Sequence, residues 1–376
     1  MMPNAEPTPY MFPSLDSIEA ILWPAGALMI FVITAVLVDV MILLAARWRL
    51  VDLPNRRSAH SLPTARGGGV AIVSTFTLGA IAVAIRWPAV AVPVLLGALL
   101  PSLTIGAVGF VDDIRSLRAS LRLFIQIGIA VVITGALGPI DAIAVPGLPR
   151  LELGMFAWPF TVVWIVGLTN AFNFMDGSDG MAGLGAVVMG LCIGLLGLRL
   201  QSHVPMLLAV FLAAAAGGFL VFNWPPARIF MGDVGSGFLG TFLAALPLLF
   251  PPATRPLIFV PVVLCLWPYV YDPFLSVLRR IANKKNPFVP HREFLFHRLI
   301  RSGATHSQAA VLYGLMAALG GLAGMLMIAN DVPDRIRVAM PLAMVAAAAG
   351  LTWGIERRCT AVELVPAESG HAPKPR

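Results

Sequence analysis

The sequence predicts an all-α, polytopic integral membrane protein with about eleven transmembrane helices. Three observations predict it. Of the 376 residues, 58% are hydrophobic and 12% charged, too little charged surface for a soluble domain of this size. Apolar runs of about 20 residues, the length that crosses a bilayer as a helix, recur along the whole chain. Polar and acidic residues are gathered into short clusters between those runs. The three cysteines, Cys192, Cys265 and Cys359, are scattered, which argues against a disulfide framework or a thiolate metal site.

The first span, 20–46, follows a stretch with acids and prolines but no Lys or Arg. Lacking the basic n-region of a signal peptide, it is expected to be retained. Spans 69–86 and 90–111 are parted by Trp87-Pro88, and the second runs into Asp112-Asp113. Span 120–137 precedes a polar stretch, and 155–173 ends inside NAFNFMDGSDGMAG, Asn170 to Gly183. Span 181–199 closes at Arg199 and 204–223 at Trp224-Pro225-Pro226. Span 236–251 follows the glycine-rich MGDVGSG, and 257–278 is closed by Arg279-Arg280. The last two are 308–329 and 336–355. No internal repeat or soluble domain boundary interrupts this order. One transmembrane unit is expected over 1–376, with its motifs at about 50–300 and a disordered tail at 357–376.

Charge sets the orientation. Of the 26 Lys and Arg residues, twenty fall on one side if spans alternate: in the loops after spans one, three, seven and nine, and in the tail. Six fall on the other: Arg86, Arg150, Arg199, Arg255, Arg335 and Arg337. The positive-inside rule assigns the first side to the cytoplasm, with the N-terminus outside and the C-terminus cytoplasmic. The net charge of +7 is then a cytoplasmic-face property, and contact with anionic headgroups explains most of it.

Five polar clusters fall on that same side: VDLPNRRSAHSLPTARGGG, GFVDDIRSLRASLR, NAFNFMDGSDGMAG, FNWPPARIFMGDVGSG and RRIANKKNPFVPHREFLFHRLIRSG. Acids took no part in the charge count, so their gathering there is an independent observation. Taken singly, most have plain readings. Asp112-Asp113 could be a solvated helix end, Asp233 a helix cap, and Gly67–Gly69 a flexible approach to a span. His291, His297 and His306 are too loosely spaced for a zinc site.

The third cluster resists a plain reading. Asn170, Asn173, Asp176 and Asp179 recur every third residue, which places neighbours on nearby parts of one helical face. Gly177 and Gly180 then break the helix and let backbone amides approach a ligand. Acids cost about 2.5–3.5 kcal/mol each at a span centre and less toward the interface, so in membrane segments they mark function. Amide and carboxylate oxygens without sulfur or imidazole suit Mg²⁺ or Mn²⁺. Mg²⁺ held by few protein oxygens expects phosphate oxygens to complete its shell, and Arg residues on the same face would complement them. The chemistry implied is phosphoryl transfer at a membrane surface.

In their order and wording these motifs resemble the polyprenyl-phosphate N-acetylhexosamine-1-phosphate transferases. That family includes initiating enzymes of lipopolysaccharide and teichoic acid and the phospho-MurNAc-pentapeptide translocase. DLPNRRSAHSLPTARGGG is similar to the family's first cytoplasmic loop, GFVDDIRSLRASLRLFIQ to its aspartate pair, NAFNFMDGSDGMAG to its Asn-Asn-Asp-Gly-Asp-Gly motif and FNWPPARIFMGDVGSGFLG to its Gly-Asp-x-Gly-Ser motif. The resemblance implies that Asp112 and Asp113 handle the lipid phosphate, that Asn173 and Asp233 hold Mg²⁺, and that Asp176 is a third required acid. It implies that Asp179 and Asn223 contact uridine and Phe230 stacks on uracil. Asn170, His291, Arg292 and His297 are expected on the substrate side. The fifth cluster departs from the family's histidine-rich form: in HREFLFHRL, His291 replaces an acid and Phe294 and Phe296 replace histidines. It also lacks the translocase signature, and its His-Arg start is that of an O-antigen subgroup.

The reaction implied joins UDP-N-acetylhexosamine to polyprenyl (undecaprenyl) phosphate, with Mg²⁺ (or Mn²⁺), and releases UMP. The expected setting is a bacterial inner membrane, with the active site on its cytoplasmic face. The bilayer and the two substrates are the partners, a second copy is an allowed one, and no nucleic acid is expected. A transporter or flippase of lipid-linked sugars is the alternative. It would place acids at span midpoints and broken helices in paired positions. Here only Asp272 approaches that pattern. A catalytically dead lipid-binding relative is a further alternative.

Overall fold

In the computed structural model, described over residues 19–48, 51–52, 63–286 and 293–364, the chain is a helical bundle. In chain order the helices are α1 (Glu19–Trp48), α2 (Gly69–Arg86), α3 (Pro88–Arg115), α4 (Ala119–Leu137), α5 (Ala157–Met175) and α6 (Met181–Arg199). They continue with α7 (His203–Asn223), α8 (Asp233–Ala245), α9 (Arg255–Ala282), α10 (Leu295–Arg301), α11 (His306–Ile328) and α12 (Asp334–Leu364). Ten of them are long and apolar enough to cross a membrane. The expected eighth span is the exception. It is the 13-residue α8 followed by a 3-10 turn, Leu246–Leu249.

At about 1.5 Å per residue α8 covers about 20 Å, against a hydrocarbon core of about 30 Å. The bundle tolerates this because α8 meets no lipid. Every residue from Val234 to Ala245 is buried, and α2, α3 and α5 pack around it. Phe238 and Phe242 of α8 stand in edge contact with Phe76 of α2, at centroid distances of 5.6 and 4.8 Å. The outer helices are the reverse case. In α1, α4 and α12 most of the span is unburied, and side chains such as Leu43 and Phe124 face outward, as lipid contact requires.

The two ends of the bundle are knitted separately. At one end Arg255 donates to the carbonyls of Leu137 and Phe250, and the hairpin of β3 (Ala142–Ile143) and β4 (Leu151–Glu152) lies against α9 through Ala144 N–H to Pro256 O. At the other end β1 (Val51–Asp52), β2 (Thr64–Arg66) and β5 (Ile229–Phe230) form a small sheet, antiparallel between β1 and β2 and parallel between β2 and β5. This sheet anchors the loop after α1 to the loop after α7. The expected alternation of loops is therefore met with α8 counted as a crossing. Helix α12 runs to Leu364, eight residues into the segment read as a tail.

Candidate active site

The site begins with the last turn of α3. Asp112 and Asp113 are neighbours in sequence, so about 100° apart around the helix, and they face different partners. Ser116 adopts a left-handed φ of 47° and reverses the chain. Leu117 N–H then donates to Asp112, and α4 brings Arg122 back over α3. Arg122 Nη1 lies 2.6 Å from Asp112 Oδ2 and 3.2 Å from Asp233 Oδ2.

Asp113 turns to α8 instead. It accepts the backbone N–H of Asp233 at 3.1 Å and of Val234 at 3.4 Å, two of the donors a helix start leaves unpaired. Arg66, at the end of β2, pairs with it at 2.7 Å. Gly109, one turn earlier in α3, makes this approach feasible: a Cβ there would lie 2.2 Å from the Asp233 carbonyl oxygen.

Helix α5 contributes Asn173, whose Nδ2 donates to Asp233 Oδ1 at 3.2 Å and to Ser236 Oγ at 2.8 Å. The helix ends at Met175 with Asp176 as its C-cap, so the three-residue spacing is helical only as far as Asp176. Its half-buried carboxyl receives no hydrogen bond among the described residues. Burial, and then the charges of Asp233 and Asp113, push it well above the usual carboxylate range. In this locus Arg66 and Arg122 pair with Asp113, Asp112 and Asp233, while the charges of Asp233, Asp113 and Asp179 act on Asp176, so five carboxyl groups share two guanidiniums. That excess of negative charge is what a cation would relieve.

The neighbouring loops form a wall. Gly180, at a left-handed φ of 73°, donates its N–H to Asn223 Oδ1 at 2.9 Å, and Asn223 Nδ2 donates to Ile229 O at 2.9 Å. Asp179 accepts Ala227 N–H at 3.0 Å. Asn223 is thus buried with both ends of its amide bonded, and it holds two loops together rather than presenting free polar atoms. Phe230 follows at the edge of the sheet, half-buried, its carbonyl accepting the N–H groups of Gly67 and Gly68. His297 of α10 stacks on Phe296, centroids 4.0 Å apart, and reaches the turn at Gly177, where a Cβ would lie 3.5 Å from its ring.

Asp112, Asp113, Asn173 and Asp233 thus join one bonded network, with Asp176 in its field. Asn170 does not join it. One turn deeper, its amide donates to Gln126 of α4 at 2.7 Å and to Val166 O. His291, Arg292 and most of the first loop lie outside the described residues. Sequence reasoning missed Arg66, Arg122 and Ser236 as members. Both arginines sit inside the polar clusters, where the sequence marks Arg residues collectively as headgroup contacts or phosphate partners without singling out these two. Asp272, buried in α9, accepts from Leu295 N–H at 2.7 Å, Phe296 N–H at 3.1 Å and Tyr313 Oη–H at 2.7 Å. It is the anchor of α10.

Among the described residues no three His, Cys, Asp or Glu side chains converge as a ready-made metal cage. Mg²⁺ does not need one, since it commonly takes one or two protein carboxylates and completes its shell with water and substrate phosphates. The all-oxygen donors Asp233, Asn173 and Asp176, with their surplus charge, fit that mode.

Residues 95–250, which include both the aspartate pair and Asp233, match the profile of Glycosyl transferase family 4. A relative from Bacillus subtilis (strain 168), a probable undecaprenyl-phosphate N-acetylglucosaminyl 1-phosphate transferase, is 35% identical over 270 residues, covering 71% of this chain and 74% of its own. The chain belongs to glycosyl transferase family 4. The decaprenyl-phosphate N-acetylglucosaminephosphotransferase of Mycobacterium leprae (strain TN) is 31% identical to this family 4 chain, over 73% of it and 76% of the relative. A phospho-N-acetylmuramoyl-pentapeptide-transferase from Desulfitobacterium hafniense reaches 42%, but over 38% of the chain and 50% of its own length.

In this family 4 chain the aspartate pair has divided labour. Asp113→Ala removes the acceptor for two α8 amides and the partner of Arg66, and is expected to cost about 1–3 kcal/mol. Hydrogen exchange at Asp233 and Val234 should accelerate in that variant and stay unchanged in Asp112→Ala. Equal acceleration in both would show that Asp113 has no special hold on α8.

Proposed function

We propose that this chain transfers an N-acetylhexosamine 1-phosphate from a UDP-sugar to a polyprenyl phosphate, with a divalent cation, at the cytoplasmic face of a bacterial inner membrane. The observation that carries the reading is one bonded chain from four separate helices at one end of a membrane bundle, in which Arg122 pairs with Asp112 and Asp233, and Asn173 donates to Asp233. The relatives' names supply the acceptor class and the sugar phosphate transferred, and the excess of Lys and Arg at that end supports its cytoplasmic placement.

An oxygen of the lipid phosphate attacks the β-phosphorus of the nucleotide sugar. The bond to the α-β bridging oxygen breaks, and UMP leaves with that oxygen. When bound, Mg²⁺ neutralises diphosphate charge and acts as a template for the two substrates. Arg122, now held between Asp112 and Asp233, is the cation best placed to turn to an incoming phosphate. The helix-end position of Asp112 is at headgroup level, where a lipid phosphate lies. A phosphate acceptor is already ionised near pH 7, so positioning and electrostatics carry most of the acceleration.

The deciding assay is purified protein with polyprenyl phosphate and a panel of UDP-sugars, reading UMP release. A UDP-N-acetylhexosamine should support it, and no release with any member would overturn the proposal. The site's nucleotide side is read at Phe230. Phe230→Ala is expected to weaken UDP-sugar binding by about 1–3 kcal/mol, the worth of stacking on a base. Calorimetry checks it against Asp112→Asn, which should keep its affinity. The reverse result would exchange the two halves of the site.

A further inference from the structure

The turn 176–180 joins α5 to α6, and it is gripped from two sides. On one side lie α7 and the loop after it: Asp179 accepts Ala227 N–H, and Gly180 donates its N–H to Asn223. On the other side lie α10 and α11, through two histidines. His297 of α10 reaches Gly177. At the next residue of the turn, Ser178 Oγ and His306 Nδ1 of α11 are hydrogen-bonded at 2.8 Å. A hydroxyl donates or accepts as required, so one bond forms with either tautomer of the ring. Ser178 is 7% exposed, which leaves its hydroxyl little access to water as a substitute.

His306 is the first residue of α11, and its backbone is fixed without Ser178. Gly303 reverses the chain after α10 at a left-handed φ of 102°. Thr305 then caps α11 in a reciprocal box: its hydroxyl accepts Gln308 N–H at 3.1 Å, and Gln308 Oε1 accepts Thr305 N–H at 2.9 Å. Further along, α11 is seated on α6 at Gly314, where a Cβ would lie 2.9 Å from Leu184. A helix whose place is set elsewhere thus presents the His306 ring to the turn, and what the bond adds is the geometry of the turn. A loop ordered before its ligand arrives costs less affinity than one the ligand must order. We infer that His306 is a positioning residue for the nucleotide sugar: by holding Ser178 it keeps Asp176 and Asp179 where the donor meets them. The inference rests on the transfer reading proposed above. The acceptor side should not feel it, because Asp112 and Asp113 are held by Leu117, Arg122, Arg66 and the start of α8.

Steady-state kinetics on the purified full chain, with UDP-N-acetylglucosamine and polyprenyl phosphate varied in turn, tests it. His306→Ala should raise KM for the UDP-sugar about five- to tenfold, the scale of one hydrogen bond, and leave KM for polyprenyl phosphate unchanged. A bond that only stabilised the fold would lower the active fraction, and with it kcat, at unchanged KM. His306→Asn, whose amide stands where Nδ1 does, should recover most of the loss. Ser178→Ala should reproduce His306→Ala, and the double variant should be no worse than either single one. Hydrogen exchange needs no turnover: the amides of Gly180 and Met181 should exchange faster in His306→Ala, and those of Asp233 and Val234 should not. An inert wild type would overturn the transfer reading, and the donor's part of this inference with it. In an active wild type, four results would each overturn this inference alone: KM unchanged in His306→Ala, both KM values rising together, additive losses in the double variant, or His306→Asn no better than His306→Ala. Unchanged exchange at Gly180 and Met181 would do the same.

Discussion

Asp233→Asn is expected to leave a folded, monodisperse protein with kcat reduced by about 10²–10³ or more, comparable at least to removing a central electrostatic group from an active site. The fold should survive because the bond that fixes the start of α8 to α3 runs from the backbone N–H of residue 233 to Asp113, and asparagine keeps that N–H. What is lost is the carboxylate that Arg122 and Asn173 both reach. The replacement amide also offers Arg122 at best one neutral acceptor. If the missing charge held a divalent cation, excess EDTA should silence the wild type to the same degree, and Mg²⁺ or Mn²⁺ should restore the wild type alone. Full activity of the wild type in EDTA would remove the metal from the mechanism and leave Asp233 as a counter-charge for Arg122.

The fold class and most of the network were legible in the sequence because the signals are local. Twenty-residue apolar runs announce helices wherever they occur, and Asp112, Asn173, Asp176 and Asp233 all sit at helix ends, the last two beside a glycine. The short α8 was legible as an apolar run but not as a buried one, since its neighbours are set by tertiary packing. The roles of Asn170 and Asn223 were not legible for the same reason. Periodicity places Asn170 in register with Asn173, but its partner Gln126 lies 44 residues away. Arg66 and Arg122 were hidden by a different effect. Basic residues are common at this face of a membrane protein, so two that pair with acids are indistinguishable in sequence from those that meet headgroups.

Asp272 shows the same gap most sharply and carries the second large expectation. In sequence it is an acid within a span, the pattern of a transport pathway. In the structure it is 1% exposed and receives Leu295 N–H, Phe296 N–H, Tyr313 Oη–H and Ser276 Oγ–H. Its charge therefore fixes the first turn of α10 to α9 and α11, and α10 in turn sets His297 against Gly177. Asp272→Ala leaves four buried donors without an acceptor, at about 1–3 kcal/mol for each that finds no water. The expected result is a large loss of thermal stability, with α10 amides exchanging first and transferase activity falling with them. Asp272→Asn, which keeps one acceptor, should fall between the two and retain a docked α10. Hydrogen exchange resolved along the chain separates this from a pathway role. If α10 stays protected in Asp272→Ala while activity is lost, the carboxylate acts on a substrate rather than on the helix it caps.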